Sequence, residues 1–313
     1  MAHALAEILI FPGFLFLGVL GMAAEFVDRK LYARFQNRQG PPWYQPLADF
    51  IKLAAKEEII PAEAAAPFFK LMPVVALAAV VTSVLYIPLW STQAVFAFEG
   101  DLIVVIYLLT IPTLTFFLGG WFSTSLFATI GAVRTLTQLF AYEVPLFLAL
   151  LSPAVLAGTW SLSGMATFFS GHWWLSLLNV LGLVVALTAL QGKLERVPFD
   201  IPEAETEVVG GAFTEYNGPL LALYRITIDI ELVVGASLIA AVFLPFGLGV
   251  GGVFGFLIYV LKVLGVVFLS ALARSVMARL RIEQMIDFCW KWVAPAALLQ
   301  LLICILALGV MAA

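Results

Sequence analysis

Eight apolar runs, each close to twenty residues, divide this chain at 5–27, 68–90, 102–121, 138–158, 173–191, 223–246, 252–273 and 293–311. A run of that length crosses the hydrocarbon core of a bilayer as a helix. Lipid admits only helices and closed barrels, because a backbone group left unpaired there has no water to turn to. The runs are continuous rather than alternating, so they predict helices and not barrel strands. The expected fold is all-α: one polytopic integral membrane domain over residues 1–313 with about eight transmembrane helices. A chain that is 63% hydrophobic and 12% charged, with mean hydropathy +1.06, lies outside the soluble range. No Lys or Arg precedes Arg29, so the first run lacks the basic leader of a cleavable signal and reads as a retained span.

The cations set the orientation. Arg29, Lys30, Arg34, Arg38, Lys52, Lys56 and Lys70 fall in the first connection, Arg134 in the third, Lys193, Arg196 and Arg225 in the fifth, and Arg274, Arg279, Arg281 and Lys291 in the seventh. That is fifteen of sixteen. The positive-inside rule then places the loops 28–67, 192–222 and 274–292 in the cytoplasm and both termini on the outer side of the cell (inner) membrane. Within the first loop, "WYQPLADFIKLAAKEEIIP" gathers Leu47, Phe50, Ile51 and Ala54 on one helical face. This predicts a short amphipathic helix lying on the cytoplasmic surface of the membrane.

Other chemistry is excluded by what the chain lacks. Cys289 and Cys304 are the two cysteines, with no CxxC, so no iron–sulfur cluster is expected on this chain. They stand fifteen residues apart, ~22 Å along a helix, too far for a disulfide. His3 and His172 fall near the ends of apolar runs, and His172 in "GHWW" reads as an interfacial residue beside belt tryptophans. "GLGVGG" at 247–252 matches a dinucleotide fingerprint in letters only. No strand precedes it, so it is a turn between two spans.

Charge inside the spans calls for a reason, since each such residue costs about 2.5–3.5 kcal/mol at a helix centre. Glu25, Asp28, Glu143, Asp229 and Glu231 are expected one to two turns in from the cytoplasmic side. Glu25–Arg29 and Arg225–Asp229 have the i,i+4 spacing of pairs that would merely neutralise helix ends. Lys262 lies ten residues into a span that begins outside, roughly 15 Å deep, where snorkelling is not expected. Six carboxylates crowd "LERVPFDIPEAETEVVGGAFTEYNG" at 194–218. If helical, Asp200, Glu203 and Glu207 share one face and Glu205 points away. A solvated acidic face is the plainer reading. Against it, the prolines and Phe199 of "VPFDIP" predict a packed turn, and crowded carboxylates raise one another's pKa toward the range of a proton relay.

The motifs resemble the H subunit family of respiratory complex I and its relatives in energy-converting hydrogenases. The match runs through Asp28-Arg29-Lys30, Gln36, Arg38, Gly40-Pro41, Gln45 to Asp49, Lys52-Leu53 and Lys56-Glu57 in the first loop. It continues at Arg134, Gln138 and Tyr142 to Pro145, then at Glu195-Arg196, Pro198 to Asp200, Pro202-Glu203, Glu205, Glu207, Glu215-Tyr216 and Gly218. It ends at Arg279, Arg281, Gln284, Trp290-Lys291 and Pro295, so that nearly the whole chain is covered. The resemblance implies a non-catalytic subunit of an oxidoreductase complex that holds a peripheral electron-transfer arm and lines the start of a buried ionic axis. With the depth argument it assigns a proton path to Glu25, Glu143, Glu203, Glu205, Glu207, Glu215, Asp229, Glu231 and Lys262. Arm docking falls to Arg29, Arg34, Arg38, Asp49, Arg196, Asp200, Arg279 and Arg281.

One departure narrows the resemblance. Quinone-reducing members follow the glycine–proline of the first loop with asparagine and a longer glycine-rich stretch, whereas here "QGPPWYQP" closes it abruptly. The short form resembles the membrane-bound hydrogenase and sulfane-reductase branch, which implies ferredoxin as electron donor. That branch also implies a nickel–iron hydrogenase-like large subunit, an iron–sulfur subunit, small membrane subunits and antiporter-like membrane subunits as partners. Nickel–iron and iron–sulfur centres are then expected in those partners, with no metal or cofactor on this chain and no nucleic acid. Two alternatives stay open: a quinone-site subunit of a complex I-type oxidoreductase, and a stand-alone ion transporter.

Overall fold

A computed structural model describes the backbone of residues 2–312 and the side chains of residues 5–204 and 207–310. The helices are α1 (Ala2–Leu9), α2 (Phe14–Phe35), α3 (Gln45–Ala54), α4 (Ala66–Ser83), α5 (Asp101–Phe122), α6 (Leu126–Ala157) and α7 (Leu162–Gly171). They continue with α8 (Val180–Lys193), α9 (Glu205–Val208), α10 (Gly218–Phe243), α11 (Gly252–Val276), α12 (Ile282–Phe288) and α13 (Ala294–Ala312). Among the described residues eight helical stretches are long and apolar enough to cross a membrane, as the eight runs predict. The all-α class holds, and the surface helix is present as α3.

The spans form a bundle with α10 at its centre. From Ile230 to Phe243 every residue of α10 is buried, the condition of a helix apolar on all sides. Around it pack α2, α4, α8 and α11, with α5 and α6 beyond α4 and α13 against α6. We call the end carrying α3, the 194–217 segment and the turn before α12 the basic end. The opposite, plain end carries the 84–100 and 158–179 connections. There Trp90 packs against Phe11, Phe256 and Tyr259 with ring centroids 5.4–5.8 Å apart.

Several boundaries move, and depth moves with them. The first span runs unbroken to Phe35, so Asp28, Arg29, Lys30 and Arg34 ride on a helix and not on a loop. The fourth begins at Leu126 instead of 138, because polar Arg134, Thr135 and Gln138 project onto neighbouring elements and do not end the helix. Arg134 is thus helical. Glu143 lies seventeen residues from the start of α6, ~26 Å in and near mid-helix, deeper than one turn. Asp229 and Glu231 likewise lie eleven and thirteen residues into α10, a turn deeper than expected.

The 194–204 segment dips into the bundle instead of lying on it. Leu194, Arg196, Phe199, Ile201 and Ala204 are all buried. Irregular backbone at this depth survives only inside protein with its polar groups satisfied. Here the Glu195 and Arg196 amides donate to the Gly192 and Gln191 carbonyls, and the Leu280 amide donates to the Pro198 carbonyl at 3.0 Å. Farther along, Gly211 has φ +56°, and a Cβ there would meet the Pro202 carbonyl oxygen at 2.0 Å. Only glycine fits that turn. The expected single acidic face does not form: Asp200 and Glu203 precede the first helical turn, Glu205–Val208, since Pro198 and Pro202 interrupt the segment.

Candidate functional site

The chain of charges begins at the basic end. Arg29 on α2 donates from Nη1 to Asp49 Oδ2 of α3 at 3.0 Å and from Nε to Glu25 Oε1 at 2.6 Å. Glu25 Oε2 accepts from Arg196 Nη2 at 2.7 Å, and Arg196 Nη1 lies 3.0 Å from Asp28 Oδ2. The same Asp28 oxygen accepts from Arg274 of α11 at 2.8 Å. Six alternating charges therefore tie α3, α2, the dipping segment and α11 together. Glu25, Asp28 and Arg196 are buried, and buried charge is tolerable only when matched in this way. Burial works against the Arg196 charge, but the Asp28 and Glu25 carboxylates outweigh it and raise its affinity for its proton.

A cavity of about 660 Å³ opens beside this chain. Of its 24 lining residues 15 are charged, a composition unlike the largely apolar lining of small-molecule pockets. Its inner limit is the buried pair Lys193–Glu231, 3.1 Å apart and 2% and 1% exposed. Lys193 also donates to the Leu109 carbonyl and stands 5.8 Å from the centre of the Tyr142 ring. Tyr142 shares a hydrogen bond of 3.0 Å with Thr113. One turn earlier on α5, Thr110 donates to Glu143 Oε1 at 2.5 Å. Polar groups thus continue from the α3 surface to mid-bundle. Among the described residues Asp28 Oδ1, Glu143 Oε2 and Glu195 Oε1 are buried with no hydrogen-bond partner.

The model of the NADH dehydrogenase family matches residues 6–305. The chain belongs to that family. Among its relatives, the H subunit of the NADH-quinone oxidoreductase of Dehalococcoides mccartyi is 32% identical over 312 residues, covering 96% of this chain and 86% of that one. Subunit 8 of the Thermus thermophilus enzyme is 33% identical, covering 91% and 83%. A chain in the structure of the membrane-bound sulfane sulfur reductase, an archaeal respiratory membrane complex, has a TM-score of 0.86 at 26% identity, covering 97% of this chain and 100% of that one.

In this family member the sequence-predicted residues part into three groups. Glu25, Arg29, Asp49, Arg196, Asp200, Glu203, Asp229, Glu231 and Arg279 all line the charged cavity. Glu143 lies beyond its inner limit. The rest stand elsewhere: Arg34, Arg38 and Arg281 are exposed and Glu215 is half-buried, while Glu207 is exposed and accepts from Arg134 at 2.6 Å. That bond and the Arg134 charge hold the Glu207 carboxyl below the usual range. The side chain of Glu205 lies outside the described residues. Arg225 faces Glu203 at 3.5 Å, a pairing across elements that the i,i+4 spacing to Asp229 does not reveal.

Lys262 is the clearest difference. Its Nζ donates to the Leu244 carbonyl at 2.8 Å, at the plain end of α10, and lies 5.3 Å from the Phe246 ring centre. Helical side chains lean toward the helix N-terminus, and α11 starts at the plain end, so the ammonium caps the end of α10; the residue is buried and, as expected, does not snorkel. It does not face the acids.

Three residues of the site escape sequence reasoning. Lys193 and Arg274 read as loop cations from their positions alone. Glu195 sits in the acidic motif with a left-handed backbone, φ +49°, which aims its side chain into the bundle. Burial pushes its carboxyl well above the carboxylate range, with Glu203 and Glu231 adding to the rise. The folded state therefore holds the Glu195 proton more tightly than the unfolded state, and stability falls as pH rises from the ordinary carboxylate value through the raised one. Glu195→Gln should flatten that fall, so the thermal midpoint of the purified assembly should exceed wild type at alkaline pH and match it at acid pH. Parallel profiles across the range would return Glu195 to ordinary titration.

Proposed function

We propose that the chain is the arm-anchoring, ion-coupling membrane subunit of a respiratory redox complex. The observation that carries this reading is the succession of charged groups from Asp49 to the Lys193–Glu231 pair along a cavity with 15 charged residues among 24, with Thr110 and Glu143 beyond its inner limit. A docked electron-transfer arm changes its charge at the mouth of that cavity on each turnover. Ion pairs that share partners, as Arg196 does with Glu25 and Asp28, answer such a change by re-pairing and passing protons inward. Glu25, Glu203, Asp229, Glu231 and Glu143 form the path in this reading, with Glu205, Glu207 and Glu215 at its basic-end approach. Lys262 belongs to the far side, where protons would leave toward the outer face. Arg29, Arg34, Arg38, Asp49, Arg196, Asp200, Arg279 and Arg281 bear the arm.

The complex we infer is a ferredoxin-dependent membrane-bound hydrogenase. Its partners would be a nickel–iron large subunit, an iron–sulfur subunit, and small and antiporter-like membrane subunits. The basic end lies in the cytoplasm and both termini outside. The abrupt "QGPPWYQP" turn supports this branch, as does full coverage of the corresponding sulfane-reductase chain. Identity of 32–34% to the H subunits of NADH-quinone oxidoreductases favours a second reading, in which the cavity takes a quinone headgroup. A nickel-containing subunit among those that co-purify supports the first; competitive inhibition by short-chain quinone analogues supports the second. For coupling itself, Glu203, Glu205 and Glu207 are changed together to Gln in the complex in proteoliposomes. Dye oxidation by the arm should persist while ion movement falls. Unchanged ion movement would make the loop a solvated surface.

A further inference from the structure

Behind the wall of the charged cavity lies a second space. It is an apolar groove of about 510 Å³ between the basic-end halves of α8 and α11, bounded by Leu187, Leu269, Met277, Phe199 and Phe288. The two spaces share one segment: Val197 and Asp200 face the charged cavity, Pro198 and Phe199 the groove. The Leu280 amide stitches this wall through the Pro198 carbonyl.

The groove's polar side chains are spent within the chain. Gln191 Nε2 donates to the Ser270 carbonyl at 2.7 Å, Ser270 Oγ donates to Gln191 Oε1 at 3.0 Å, and Thr188 Oγ1 donates to the Val184 carbonyl at 2.9 Å. An occupant carrying carbonyls would bury them without these donors, which is costly. A hydrocarbon chain loses nothing. A methylene takes up about as much room as a liquid water, ~30 Å³, so the groove holds roughly seventeen, the length of one acyl chain. Leu280 lines the groove, and exposed Arg281 follows it in the chain. A cation at the basic-end interface suits a phosphate headgroup.

We propose that this groove is a binding site for one acyl chain of an anionic phospholipid, with its headgroup at Arg281, in place of the arm contact proposed above for that residue. The bound chain packs the back of the Pro198–Phe199 wall, so the lipid braces the segment that carries Arg196 and Asp200. This site does not depend on which redox reaction the complex runs.

The test uses the intact complex in nanodiscs of phosphatidylcholine doped with phosphatidylglycerol bearing a photoreactive acyl chain. Labelling should concentrate on Leu187, Leu269 and Met277, about tenfold above Leu306 and Val310, the ratio that a preference of ~1.4 kcal/mol gives. Unlabelled phosphatidylglycerol should compete and added phosphatidylcholine should not. Ala273→Trp, which fills the groove, should remove the excess labelling. Equal labelling of the lipid-facing residues, or equal competition by both lipids, would overturn the proposal. So would labelling confined to a helix of another subunit. The wild-type map decides the matter even if Ala273→Trp fails to assemble.

Discussion

Replacing Glu143 by Gln is expected to abolish ion translocation by the assembled complex while leaving electron transfer through its peripheral arm intact. The substitution keeps size and hydrogen-bonding capacity and removes titration alone. Thr110 still has an oxygen to donate to, in place of the 2.5 Å contact to Oε1, so the joint between α5 and α6 survives. The series of groups reaching mid-bundle ends at this carboxyl, and its other oxygen is buried with no partner among the described residues. On the proposed path, loss of this titrating group should reduce pumping in proteoliposomes to background. Full pumping by a correctly assembled Glu143→Gln complex would remove it from the path.

Arg196→Met should act on assembly instead. It leaves buried Glu25 with Arg29 alone and buried Asp28 with Arg274 alone, and breaking a buried pair by removing one partner costs up to about 3–5 kcal/mol. That is a large share of a typical folding stability. The expected outcome is loss of assembled complex from membranes, read by native electrophoresis. Arg196→Lys should restore part of it, since one ammonium supplies the charge but not the fork that bonds both carboxylates at once. A stable Arg196→Met complex would mean that Arg29 and Arg274 alone neutralise the two acids.

Periodicity and hydropathy were enough for the spans, because lipid allows a twenty-residue apolar run so few alternatives. Depth was harder. Arg134 and Gln138 look like the end of a span, but one reaches Glu207 and the other donates to the Gly192 carbonyl at 2.7 Å, so a polar residue marked a helix contact instead of a boundary. Pairings failed for a related reason. Spacing along one helix finds Glu25–Arg29, but Arg196–Asp28 and Lys193–Glu231 join elements far apart in the chain, and no local rule brings them together. The inward turn of Glu195 rests on a left-handed backbone at a non-glycine residue, for which the letters carry no signal.

The tether of Lys262 to the end of α10 has an electrical side. Fifteen of the sixteen cations fall at the basic end, while the Lys262 ammonium rests on the Leu244 carbonyl at the other. When the membrane is energised positive on the plain side, a charge held there stands against the field, at about 2.3 kcal/mol per 100 mV for a full crossing. The helix-end carbonyl opposes that push. A potential of that sign would load this contact, a force felt at the end of the bundle's central helix.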